Sequence, residues 1–320
     1  MVKFGVIGAG NIAKRFLTAL NGLGIKPYAI ASRTIEKAWR YQSEFNITKA
    51  YGSYEAMLKD ADLKCVYIAT PHSYHFDHMK LALNYGKHVL CEKPFTLNKK
   101  EALEIITLAK TNHLLVMEAM KTRFLPVIHA VKQHLDKGVI GEITKMEASF
   151  STVEKTERLY DNALGGGALL DIGVYPLTLA HDLFGELDYG DSTVTLKNGV
   201  DIEETLYLKH DTIDITITLS MLTPLKKDAT IYGTKGKIVI PHYSSANTAI
   251  IYNTNQDLIK RLNVPHQVNG FEYQIQSFIK TIEENTLENK TMPHQFTLII
   301  LSLMDQIRQE WNLVYPNEAL

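Results

Sequence analysis

The chain has 320 residues, 45% of them apolar and 22% charged, with 34 Lys and Arg against 35 Asp and Glu. That composition excludes a disordered or collagen-like chain. A net charge of -1 leaves no electrostatic footprint for nucleic acid, and no polybasic run marks a membrane surface, so neither partner is expected.

The length predicts roughly two domains. Cys65 and Cys91 lie inside apolar runs, and two buried thiols fit a reducing compartment better than a disulfide scaffold. The opening MVKFGVIGAG holds a glycine turn and no cleavage site, and no apolar run is long enough to span a bilayer. The expected location is the cytoplasm.

In chain order, short Val/Ile-rich runs at 2–7, 27–31, 65–69, 88–91 and 114–117 read as strands buried on both faces. Helical patterns separate them. The clearest is 98–111, where Asn98 can cap and Glu101 follows at capping-box spacing. Ala102, Ile105, Ile106 and Ala109 then share one face. Such alternation predicts an α/β domain with a parallel sheet.

The pattern changes near 118–124, giving domains at 1–120 and 121–320. Residues 212–222 alternate strictly, with Ile213, Ile215, Ile217, Leu219 and Met221 on one face and Asp214, Thr216, Thr218 and Ser220 on the other. Weaker strand signals fall at 143–152, 192–197, 204–208, 229–232, 237–240 and 248–252. Helical patterns return at 168–184, 271–285 and 295–311. The second domain reads as α+β with a large open, mostly antiparallel sheet. Its Thr/Ser-rich face is either solvated or a sheet-to-sheet subunit contact.

Gly8-Ala9-Gly10-Asn11-Ile12-Ala13 follows the first strand and opens a helix as G-x-G-x-x-A. Gly8 permits the turn, Gly10 admits a pyrophosphate, and Ala13 allows close helix–strand packing. Free N–H groups at the helix start would bind the pyrophosphate. The alternative is a tight turn with no ligand. NAD sites usually carry an acid after the second strand. Here no carboxylate lies between Gly10 and Glu36, and the strand ends in Ser32-Arg33. A hydroxyl and a guanidinium suit a 2′-phosphate, with Lys37 one turn on, so NADP(H) is expected over NAD(H). Arg33 as a solvated residue is the plainer alternative.

Further along, strand ends carry Thr70-Pro71-His72 with His75, and Glu92-Lys93-Pro94, where ligands collect in open parallel sheets. The spacing of His72, His75 and His78 is not read as a metal site, and no metal is expected. Lys93 suits a proton relay if buried, or else pairs with Glu92 at the surface. Gly165-Gly166-Gly167 precedes a helix on which Asp171 and Tyr175 stand four apart. An acid and a phenol there make a candidate site; a helix-start acid and a core aromatic are the alternative.

Taken together, these segments resemble the Gfo/Idh/MocA family of oxidoreductases, collinearly over roughly residues 3–240. Glu92-Lys93-Pro94 and Asp171-Ile172-Gly173-Val174-Tyr175 are the most specific parts. The resemblance implies a Rossmann domain, then an α/β domain with a large open sheet, and assembly as homodimers or tetramers, often through that sheet. It implies hydride transfer between NAD(P) and a hydroxyl or carbonyl, commonly on a sugar, polyol or related ring. It also implies a catalytic Lys93, with Asp171 as the family's aspartate. Tyr175 stands where many members have His, which is similar to the branch containing dihydrodiol dehydrogenase and 1,5-anhydrofructose reductase. That branch tends to carry Trp-x-Arg-Phe where this chain has Lys121-Thr122-Arg123-Phe124. The lost aromatic wall and gained ammonium would favour an anionic or polyhydroxyl substrate, unless Lys121 faces solvent. Lys121 and Arg123 are the candidate substrate residues.

The expected mechanism has Tyr175 exchange the proton with the substrate oxygen. Lys93 hydrogen-bonds that oxygen and lowers the Tyr175 pKa, while Asp171 orients either. Cofactor binding is expected from Gly8, Gly10, Asn11, Ile12, Ser32, Arg33, Thr70, Pro71, His72, His75, Glu92 and Lys93. A non-catalytic ligand or NADP sensor and an NAD-assisted eliminase are the rival readings.

Overall fold

A computed structural model describes residues 2–153, 156–316 and 318. The chain forms two compact units. The first takes the residues up to 120 together with 267–298; the second takes 121–266 and 299–318.

In the first unit the elements run β1 (Phe4–Ile7), α1 (Asn11–Gly22), β2 (Ala29–Ala31), α2 (Ile35–Phe45), β3 (Lys49–Tyr51), α3 (Tyr54–Leu58), β4 (Cys65–Ile68), α4 (His75–Asn84), β5 (His88–Glu92), α5 (Lys99–Thr111) and β6 (Val116–Ala119). The strands pair in the order β3-β2-β1-β4-β5-β6, all parallel. β1, β4 and β6 are buried at every residue, as helices on both faces of a parallel sheet require. The order reverses between β1 and β4, so their carboxyl ends open the crevice where such sheets take ligands. Asn98 caps α5 by accepting the Glu101 N–H at 2.9 Å, and Glu101 returns to the Leu97 N–H at 3.1 Å.

The segment 267–298 belongs to this unit rather than to the second domain expected from the sequence. Its helix α8 (Glu272–Glu283) sets Phe278 against Phe4 with ring centroids 5.8 Å apart. A change in periodicity marks where new folding units begin, but it carries no sign of a later segment returning to the first core.

The second unit contains α6 (Pro126–Asp136), β7 (Ile143–Ser151), a π-helical turn at Leu169–Gly173, α7 (Val174–Phe184), and β8 (Asp188–Lys197) through β14: β9 (Val200–His210), β10 (Ile213–Ser220), β11 (Ala229–Gly233), β12 (Gly236–Ile240), β13 (Thr248–Asn253) and β14 (Leu258–Asn263). α9 (His294–Glu310) starts in the first unit and ends in the second. The sheet order is β14-β13-β12-β11-β7-β10-β9-β8, antiparallel except for the parallel β7–β10 pair. Ile215, Ile217, Leu219 and Met221 are buried, as the alternation requires. β3 and β14 give no pattern in the sequence, because one is three residues long and the other is a mostly exposed edge strand. Residues 162–184 are apolar and long enough to cross a bilayer, but most of that stretch is buried inside the protein. Cys65 and Cys91 are buried and free.

Candidate active site

In the first unit the glycine loop sits at the β1/β4 switch point. Gly8 has φ +98°, and a Cβ there would meet the Ala69 carbonyl oxygen at 2.8 Å. Only glycine fits both demands. A Cβ on Gly10 would meet nothing within 4 Å, so the backbone faces open space. Gly10 is also the N-cap of α1 and contributes no side chain, leaving the first N–H groups, from Asn11 and Ile12 onward, facing outward. This cradle fits a dinucleotide pyrophosphate.

Ser32 and Arg33 follow β2, Ser32 buried and Arg33 exposed. The positive charge of Arg33 bears on His78 and Tyr54, which places the guanidinium on that rim. Beside Gly10 and Asn11 a hollow is lined by Lys14, Lys37, Arg40 and Tyr41. The Tyr41 hydroxyl donates to the Gly10 carbonyl at 3.1 Å. Lys14 and Arg40 were not singled out from the sequence; the basic spacing along α2 was the available signal.

Thr70, Pro71 and His72 follow β4, and His75 opens α4. His75 is fully buried between two carbonyl oxygens, with Nδ1 2.8 Å from Pro94 O and Nε2 3.0 Å from Thr70 O. The two acceptors favour the imidazolium, but burial outweighs them and lowers the pKa to about 4. His75 is therefore neutral at pH 7, and its single N–H donates to one of the two carbonyls while the ring packs between the loop after β4 and the turn after β5. His78 Nδ1 lies 3.0 Å from Thr70 Oγ1, and burial lowers its pKa to about 4 as well. Among the described residues no three His, Cys, Asp or Glu side chains group to hold a metal.

The Lys93–Pro94 peptide bond is cis. Lys93 is half-buried, and the turn it begins is pinned at several points. Besides His75 at Pro94 O, Phe95 N–H donates to Glu118 Oε1 at 3.1 Å and Cys91 Sγ lies 3.9 Å from Phe95 O. Neighbouring Glu92 is buried and accepts a hydrogen bond from the Tyr67 hydroxyl. Glu118 gave no signal in the sequence beyond a charged residue at the end of an apolar strand.

In the second unit, the glycine run passes close to protein rather than to open space. A Cβ on Gly167, at φ +109°, would meet Asp201 Oδ1 at 2.2 Å. The helix expected over 168–184 begins as the π turn, so Asp171 lies in that turn and Tyr175 in the first turn of α7. π turns recur at functional sites. Arg158 donates to Asp171 Oδ1 at 3.3 Å. Tyr175 is half-buried and stacks on Phe150, with centroids 5.6 Å and planes 11° apart. Phe150 also meets buried Tyr243 edge-on at 5.9 Å. Phe150 and Tyr243 thus form a buried aromatic support behind Tyr175, though neither was nominated from sequence.

The short 3-10 turn Lys121–Phe124 packs against α7 and against the turn that carries Tyr243. Lys121 is 8% exposed, so it does not face solvent. The Arg123 guanidinium pairs with Asp182 at 2.9 Å, both side chains largely buried.

Comparison with known proteins supports the same reading. Residues 2–120 match the oxidoreductase family with an NAD-binding Rossmann fold (Gfo/Idh/MocA), and residues 128–239 match the Gfo/Idh/MocA C-terminal domain. Trans-1,2-dihydrobenzene-1,2-diol dehydrogenase of Xenopus tropicalis is 32% identical over 98% of this chain and 99% of its own. The scyllo-inositol 2-dehydrogenase (NADP(+)) IolU of Bacillus subtilis is 32% identical over 99% of both chains. The 3-ketoreductase KijD10 of Actinomadura kijaniata, solved with NADP and TDP-benzene, is 28% identical with a TM-score of 0.89, covering 96% of this chain and 97% of that one.

Proposed function

This chain belongs to the Gfo/Idh/MocA oxidoreductase family and is an NAD(P)-dependent dehydrogenase or reductase, and we propose that it uses NADP(H) on a small cyclic polyol or sugar-like substrate. The observation that carries the cofactor choice is the cationic end of β2. Arg33 and Lys37 stand where an acid would repel a 2′-phosphate, with Ser32 beside them. Gly8, Gly10, Asn11 and Ile12 hold the pyrophosphate on the α1 amides. Thr70, Pro71, His72 and His75, with Glu92 and Lys93, border the nicotinamide end. The cofactor, when bound, supplies or accepts the hydride.

This chain's residues handle the proton. Tyr175 exchanges it with the substrate oxygen, and Lys93 hydrogen-bonds that oxygen and stabilises the phenolate by charge. Asp171 orients and balances charge. The relatives act on a dihydrodiol and on scyllo-inositol, both rings bearing adjacent hydroxyls. Lys121 adds a cationic donor for hydroxyl or anionic groups. The protein is proposed to work in the cytoplasm as a homodimer or tetramer assembled through the second unit's sheet.

NADPH oxidation followed at 340 nm against a panel of ketoses, inososes and cyclic diketones tests this reading, with NADP+ and inositols in the reverse direction. Turnover that prefers NADP(H) and disappears in Tyr175→Phe supports it. NADPH binding without turnover on any of the panel would favour the sensor reading instead.

A further inference from the structure

We propose that Glu118 is the positioning residue for Lys93: it anchors the turn that Lys93 begins and sets a carboxylate close enough to act on its ammonium. This rests on the assignment of Lys93 to catalysis.

β5 and β6 are adjacent, with Cys91 opposite Glu118 and Glu92 opposite Ala119. Glu118 therefore sits at the carboxyl end of the sheet beside the Lys93 turn. It is 5% exposed, and both its oxygens are engaged. Oε1 accepts from Phe95 N at 3.1 Å, two residues past Lys93, and Oε2 accepts from Thr297 Oγ1 at 2.8 Å. A glutamine could offer an acceptor to the same amide without the cost of a buried charge. A carboxylate earns its place only if something answers its charge. The Thr297 hydroxyl and the Phe95 amide favour the ionised form most, the nearby Glu92 carboxylate opposes it, and the Lys93 ammonium adds to its support.

Glu92, which adjoins Lys93 and accepts from the Tyr67 hydroxyl, is the second carboxylate of this cluster, and its charge acts on Lys93 in every variant below. Cys91 is a buried thiol held protonated. His75, on Pro94 O, is neutral. His294, one turn before Thr297, bonds Val116 O at 2.9 Å, and burial lowers its pKa against the pull of Glu288. Burial raises the Glu118 pKa to about 7. Because the interaction is mutual, the Glu118 charge must stabilise the Lys93 ammonium as much as Lys93 stabilises Glu118. Near neutral pH, protonating Glu118 strips Lys93 of this counter-charge without moving the backbone.

The test is a pH titration of the apoprotein carrying [ε-13C]lysine, with the Lys93 signal assigned by its absence in Lys93→Met. In the wild type, the Lys93 signal should show a step near pH 7 that reports Glu118. In Glu118→Gln that step should vanish and the Lys93 pKa should fall by about one unit. In Thr297→Val, Glu118 loses a donor that favours its carboxylate, so the step should move to higher pH. That variant serves if Glu118→Gln does not fold. NADPH affinity should change less than about twofold in either, while log kcat/KM of Glu118→Gln loses its dependence on a group near pH 7. A wild-type Lys93 signal without the step, or a step unmoved by either substitution, would overturn the proposal. Full turnover in Lys93→Met would instead defeat the catalytic assignment and leave the measured coupling standing.

Discussion

Asp201 Oδ2 accepts the backbone N–H of Leu169 at 2.5 Å, with both residues fully buried. The bond fixes the first residue of the π turn that carries Asp171 and leads into Tyr175. No N–H or hydroxyl among the described residues reaches Asp201 Oδ1 or either oxygen of buried Glu204. The two carboxyl groups bond each other instead, which requires a shared proton, and burial raises both pKa values.

The Glu204 proton makes a stability prediction. A carboxyl whose folded pKa is raised contributes stability that is full below its unfolded pKa of about 4.3 and is lost as pH rises through the folded value. Glu204→Gln keeps a donor toward Asp201 without a titrating group. Its thermal midpoint should equal the wild type's at pH 4 and exceed it at pH 9. Asp201→Ala should cost about 3 kcal/mol at pH 4 by stranding the Leu169 amide, and less as pH rises and the contribution of the Asp201 carboxyl is lost. Thermal melts across that range check both.

His75 and Glu118 should act on stability with opposite signs. The folded His75 pKa is lowered to about 4, so its contribution is full above pH 6.5 and is lost as pH falls through 4. The folded Glu118 pKa is raised to about 7, so its contribution is full below pH 4.5 and is lost as pH rises through 7. Each is on the order of 3 kcal/mol. Urea denaturation at a series of pH values should show His75→Gln flattening the acid side and Glu118→Gln the neutral side.

Tyr175→Phe should reduce kcat by about 10²–10⁴ while leaving NADPH affinity within about twofold, because it removes the proton and keeps the stack on Phe150. Phe150→Ala, which removes the stack that holds Tyr175 but keeps the phenol, should lower kcat by less than Tyr175→Phe does. Steady-state kinetics separate the two, and equal kcat losses would remove the distinction between proton donor and its support.

Much of this site was readable from spacing. Gly8 and Gly10, the strand ends at Thr70 and Lys93, and the Asp171–Tyr175 pair all depend on residues whose chemistry is local to the chain. What escaped was non-local. Glu118 matters because β6 lies beside β5, and Tyr243 because its turn reaches Phe150 on β7. The return of 267–298 to the first unit is equally invisible, since an amphipathic helix does not state which core it covers. The ion pair of Arg123 was hidden for the same reason: its partner Asp182 is 59 positions away. The π turn inserts into a helix whose composition gives no warning of it.

The most direct measurement is a fluorescence titration of the purified protein with NADPH and, separately, NADH, repeated with Arg33→Ala. The account predicts micromolar or tighter NADPH binding, NADH weaker by at least about tenfold, and a loss of that preference in Arg33→Ala with NADH affinity unchanged. Equal affinity for the two cofactors would contradict the role given to the end of β2. Binding of neither would remove the dinucleotide site, and with it the hydride transfer that Lys93 and Tyr175 are proposed to serve.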